Sequence, residues 1–291
     1  MSSEDNAGIR SRVFKLSLVL GGFAMLWGIV WYCVRDRVVA SRSYQLSPEE
    51  LEITPPPPWI HSDIKAEVLR DASLDGPLSI LDDDLTQRLH DAFPLHPWVD
   101  RVEQVSKHYP ARVKVSLVYR KPVCMVKVPG GVFAVDVYSV VLPSDDFSAK
   151  SARRYPLLSD IRSVPIGQVG AAWGDPRVES GCRVAASLVE VWSRFQLERI
   201  TPSQEPTGDG SSTYAFEILT RGGTRILWGE QAAGDDPAHA KTATAKVALL
   251  SQYVAEHGSL EKPDGPRLID VRRSAIEVTP RTASVEDATP R

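Results

Sequence analysis

Cysteine is scarce in this chain of 291 residues. Cys33, Cys124 and Cys182 are an odd number at wide spacings, with no CxxC pair and no histidine at a ligand spacing. That excludes a disulfide framework and a zinc ligand set, and it is neutral on compartment, because an envelope protein can also carry buried free thiols. Net charge is missing too. With 34 basic against 37 acidic residues the formal charge is -3, so no global field draws nucleic acid. The six histidines form no HExxH, and GxSxG, P-loop and GxGxxG sequences are absent. No nucleophile, base and stabiliser can be named together, so neither a catalytic residue nor a cofactor nor a metal ligand is expected. Extremes of composition are lacking as well: 43% hydrophobic and 24% charged residues with 22 prolines describe an ordinary folded chain of about two domains.

Three local features invite a chemical reading and receive a plainer one. Asp82-Asp83-Asp84 stands where a helix begins and reads as a cap rather than a metal cluster. His90 and His96 are six residues apart, a poor ligand spacing on a helix. Gly208-Asp209-Gly210-Ser211-Ser212 reads as a solvated turn, since a strand and not a helix N-terminus follows it.

What is present begins with an apolar run from Val13 to Val34, 22 residues with one charge, Lys15. At 1.5 Å per residue the run matches a bilayer core of about 30 Å, and Trp27, Trp31 and Tyr32 crowd the end where indole and phenol groups favour the headgroups. The expectation is one transmembrane helix over 13–34, with a tail at 1–12. A cleaved signal peptide is the alternative, but the run exceeds a signal core of about 7 to 15 residues, and Arg35, Asp36 and Arg37 separate it from the small residues Val38 and Ala40. The flanking basic residues tie, so charge does not set the orientation.

A polar lead-in over 35–58 ends in four prolines, which favour an extended spacer. Helices are expected over 63–72, from Ile64, Val68 and Leu69, and over 84–93, from Leu85, Leu89 and Phe93. Arg112 to Tyr119 alternates, with Val113, Val115 and Leu117 on one face, and Val123 to Val128 follows as its companion strand. Beyond the turn Pro129-Gly130-Gly131, a strand runs from Val132 to Leu142. Val184, Leu188, Val191 and Phe195 repeat at helical spacing. Tyr214–Thr220 and Thr224–Trp228 flank a hairpin turn, a helix spans about 240–256, and short strands close the body at 267–271 and 275–278. Residues 280–291 are polar and expected to be disordered.

Several segments, in order, resemble landmarks of the bacterial division family FtsQ/DivIB. They are His96-Pro97-Trp98-Val99 leading to Tyr109-Pro110; Tyr119-Arg120-Lys121-Pro122-Val123; Ala134-Val135-Asp136 with Val140-Val141-Leu142; Tyr155-Pro156-Leu157-Leu158-Ser159; Gly222–Gly229; and Leu268–Arg272. Tyr119 stands where the family usually has glutamate, and Ser139 where it usually has glycine. The resemblance implies an α+β chain: a single transmembrane helix, a small POTRA-like αα-ββ(β) module over 59–128, and a β-rich domain with flanking helices over 129–279. It implies a non-enzymatic bitopic scaffold in the cytoplasmic membrane with its bulk outside the cytoplasm. Its partners would be membrane-anchored division proteins, FtsB/FtsL-like, bound by strand addition at sheet edges. On this chain the partner-binding residues implied are Arg273, Ser274, Ala275, Ile276, Glu277 and Val278. An anchored envelope enzyme, a ligand-binding protein or a POTRA-type adaptor in envelope assembly or secretion would be the other readings.

Overall fold

A strand that is apolar on alternate residues buries one face, and β5 (Arg112–Tyr119) does so, with Val113, Val115 and Leu117 buried. It is central to a three-stranded sheet, flanked by β2 (Leu51–Ile53) and β4 (Val99–His108). The parallel pairing sets Leu51 opposite Val113 and Ile53 opposite Val115. The computed structural model describes residues 20–32, 41–207, 213–232, 237–262, 264–273 and 275–280. Within them the chain divides into two compact units. The first takes in the chain to Thr54, Lys65–Phe93 and Val102–Leu117; the second takes in Pro55–Ile64, Pro94–Arg101 and the chain from Val118.

The expected transmembrane helix is corrected. Of the run 13–34, residues 20–32 form a helix, α1; residues 13–19 and 33–34 lie outside the described residues, as do the tail 1–12 and residues 281–291. No described helix is long and apolar enough to cross a membrane. An apolar run meets the composition of a span, but a span also requires a helix of about 20 residues, and no described helix joins that length to that composition.

The first unit also holds β1 (Gln45–Leu46) paired with β3 (Leu78–Ser79), and two helices, α2 (Ile64–Asp71) and α3 (Leu85–Ala92). Both helices fall where the apolar spacing put them, burying Val68, Leu69, Leu85 and Leu89. Asp84 stands at the N-cap of α3, but its side chain makes no capping bond. The small module departs from the expected order. Cys124–Val128 is not its second strand but β6 of the large sheet, and β4 takes that place. The cause is visible in the burial: β6 is buried on both faces, as an interior strand must be, whereas β4 is mostly polar and has little period to betray it.

The second unit is built on a nine-stranded mixed sheet ordered β14-β13-β12-β11-β10-β9-β6-β7-β8. Its further members are β7 (Gly131–Val135), β8 (Val141–Leu142), β9 (Leu157–Leu158), β10 (Leu197–Pro202), β11 (Thr213–Thr220), β12 (Arg225–Ala232), β13 (Arg267–Asp270) and β14 (Glu277–Pro280). Three pairs are parallel and need crossovers: β9 with β10 and β12 with β13 cross over through the long helices α5 (Pro176–Leu188) and α6 (Pro237–His257), and β6 with β9 through the segment that carries β7 and β8. A four-residue helix, α4 (Ala149–Ala152), precedes β9. Asp175 caps α5, its carboxylate accepting from the Arg177 amide at 2.9 Å. Gly181 lets that helix close on the sheet, since a Cβ there would stand 2.7 Å from a Leu158 methyl. The helices pack on each other, and Val126, Leu158, Ile200, Ile218, Trp228 and Ile269 of the sheet share one core with them.

Candidate functional site

The residues singled out at the C-terminal end of the sequence lie at one end of the nine-stranded sheet. β14 pairs antiparallel with β13, Ile269 opposite Val278 and Asp270 opposite Glu277, and with no other strand among the described residues. Its other side is an edge of the kind that presents free N–H and C=O groups. Glu277 and Val278 are in the strand, while Arg273, Ala275 and Ile276 are in the turn that leads to it. Ser274 lies outside the described residues. Ile276 and Val278 are half-buried and pack against the core; Arg273, Ala275 and Glu277 are exposed, with Arg273 and Glu277 joined at 2.9 Å.

Beside this edge runs a groove of about 490 Å³ between α6 and the last strands. Leu249, Tyr253 and His257 form its helix side, and Ile276 and Val278 its strand side. Tyr253 is held by a bond from its hydroxyl to the Lys262 carbonyl at 2.9 Å and by stacking with His257 at 4.2 Å. Gln252, Glu256 and Arg267 also line the groove, so it is mixed, and an open edge next to it can take an extended segment. The backbone supplies affinity and the groove receives alternate side chains.

The support behind the edge is polar and buried. β12 carries a bulge where its register with β11 shifts, and Gly229 there has φ +89. A Cβ at Gly229 would stand 2.9 Å from Arg272 Cγ, so glycine serves both the backbone and its neighbour. Lys246 of α6 is buried and donates to the Trp228 carbonyl at 2.7 Å, its ammonium 5.2 Å over the Trp228 ring. Burial pushes the Lys246 pKa down, against the pull of the Asp270 carboxylate. In the turn, Arg272 grips Asp270 with both ends of its guanidinium, Nε at 2.9 Å and Nη2 at 2.5 Å. Those bonds hold the Asp270 carboxyl below its ordinary value although burial opposes them.

A second set of sequence landmarks meets elsewhere in the same unit. Arg120 reaches Asp136 at 2.8 Å and Asp100 at 3.1 Å, and its amide donates to the Trp98 carbonyl at 2.9 Å. The other oxygen of Asp136 accepts from the Tyr138 and Val140 amides at 2.9 and 2.8 Å, which fixes the turn between β7 and β8. The Trp98 indole donates to Asp146 at 2.6 Å. Every carboxylate in this cluster is committed to a donor, as suits a structural knot.

Lys246 was not singled out from the sequence, although a signal was there. Ala243, Lys246 and Leu250 fall at i, i+3 and i+7, so the helical period that found α6 also puts Lys246 on its buried face. No protein-family model matches the chain, and no curated protein matches its sequence.

Proposed function

We propose that this protein is a non-enzymatic scaffold that binds other proteins by adding a strand from each to the β14 edge, as the resemblance to the FtsQ/DivIB division family implies. The partners on this reading are membrane-anchored division proteins, FtsB/FtsL-like, and the body of the chain works outside the cytoplasm. The observation that carries it is the contrast between the sheet's two ends, since among the described residues β14 pairs with β13 alone while the outward groups of β8 are occupied. The groove alongside, apolar at Leu249, Ile276 and Val278 and polar at Gln252, Glu256 and Arg267, gives an added strand somewhere to put its side chains.

The test is imaging of the tagged full chain in dividing cells of its host, paired with co-purification from membranes. The wild type is expected at the division site together with membrane-anchored division proteins. Ile276→Pro removes one backbone donor next to β14 and fixes φ, so it should release those partners while the purified variant stays folded. A diffuse wild type, or a folded Ile276→Pro that keeps its partners, would overturn the reading.

A further inference from the structure

We propose that the second unit carries a binding site for a fatty carboxylate, a single acyl chain with an anionic head, on the face of the large sheet away from α5. A cavity of about 510 Å³ lies there, within the range of about 300–1,000 Å³ that small-molecule sites occupy. Alternation along the strands makes its floor. On β6, Cys124 and Val126 turn into the helix-side core, so Met125 between them turns the other way and meets Ala134 of β7 and Leu157 of β9. Phe147, from the segment ahead of α4, forms a wall, steadied by an edge-on contact with Tyr155 at 5.8 Å.

The charged groups on the lining give the polarity of the ligand. Arg153 and Arg221 are exposed, and neither guanidinium forms an ion pair among the described residues; Glu198 is the one acid on the lining. In the same unit Arg120, Arg177, Arg225, Arg267 and Arg272 each hold a carboxylate, while Arg154, Arg162, Arg194 and Arg199 form no ion pair among the described residues; what sets Arg153 and Arg221 apart is their place on the lining of an apolar cavity. Two unengaged guanidiniums beside an apolar floor suit a carboxylate, which each can meet with two parallel N–H donors. One cavity of this size holds one chain and not the paired chains of a phospholipid. The site shares no residue with the β14 groove, so it stands or falls apart from the scaffold reading.

Calorimetric titration of the full chain with dodecanoate, below its micelle concentration, tests the site. Saturable one-to-one binding is expected, and dodecyltrimethylammonium should bind at least about tenfold more weakly because its head repels the guanidiniums. Arg153→Glu with Arg221→Glu should weaken dodecanoate by about tenfold or more. Val132→Trp places an indole over the mouth from an exposed position and should do the same, whereas binding at the apolar N-terminal segment would be indifferent to it. Circular dichroism confirms that each variant is folded. Absence of saturable binding to the folded wild type, equal affinity for the ammonium, or a Val132→Trp variant that binds unchanged would each overturn the proposal.

Discussion

The two ends of the nine-stranded sheet meet the same hazard in different ways. At one end β8 is two residues long, and a neighbouring loop closes on it: the Val141 amide donates to Ala171, the Gly170 amide to Val141, and the Trp173 amide to Ser139. A short edge covered by a loop cannot template another chain. At the other end β14 is twice as long and is paired on one side. One end spends buried polar groups on holding itself shut; the other keeps its buried polar support, Lys246, behind the sheet and carries at its turn the exposed pair Arg273 with Glu277 and the partly exposed pair Arg272 with Asp270, which water screens. If the contrast is real, equivalent substitutions at the two ends have unequal effects.

The largest effect is expected at Asp136. Replacing it with alanine strips a partner from the Arg120 guanidinium, leaves the buried Val140 amide without an acceptor and takes the acceptor from the amide of the exposed Tyr138. Asp100 remains for Arg120, so the loss should lie near the low end for a broken buried pair, about 3 kcal/mol. Urea unfolding followed by Trp fluorescence measures it. A midpoint within error of the wild type would mean that the covered end does not depend on this knot.

A gain is expected next door. Ser139 is buried with φ +59, a conformation that costs a residue with a Cβ about 1–2 kcal/mol, and its hydroxyl makes no hydrogen bond among the described residues. Ser139→Gly relieves that cost and gives back about 0.4–1 kcal/mol through the freer unfolded chain. The net is a stabilisation of about 0.5 kcal/mol, readable as a rise in urea midpoint. A fall would show that the serine side chain contributes packing that outweighs the backbone.

How much of this was legible beforehand follows from how each element is made. Strong periods carried through: β5, α2 and α3 stand where alternation or helical spacing put them, and the hairpin of β11 and β12 turns at Arg221-Gly222-Gly223 as glycine allows. β4 escaped because long-range pairing holds a mostly polar strand in place, and pairing leaves no mark on local sequence. For the same reason β6 was attached to the wrong sheet: its apolar run announces a buried strand but not its neighbours. The span over 13–34 rested on apolar composition alone, and no described helix joins that composition to a spanning length. At the candidate edge the sequence located the residues, while the groove and the Lys246 support required α6 to be placed against the sheet.

The smallest effect is expected at Asp270, and it sets the sharpest condition on the comparison. The Arg272 bonds lower the Asp270 pKa, so the stability they contribute is present at neutral pH and is lost as pH falls through that lowered value, below the ordinary aspartate value of about 4. Arg272 is exposed, and solvent screens the pair. Asp270→Asn abolishes the titration while keeping the shape. Its urea midpoint at pH 7 should therefore match the wild type within error, and the drop between pH 7 and pH 3 should shrink only slightly. Asp136→Ala measured beside it supplies the scale. Should Asp270→Asn cost as much as Asp136→Ala, the β14 end would be held as firmly as the β8 end, and an edge held that firmly is a finished boundary of the sheet, which would remove the structural ground for strand addition there.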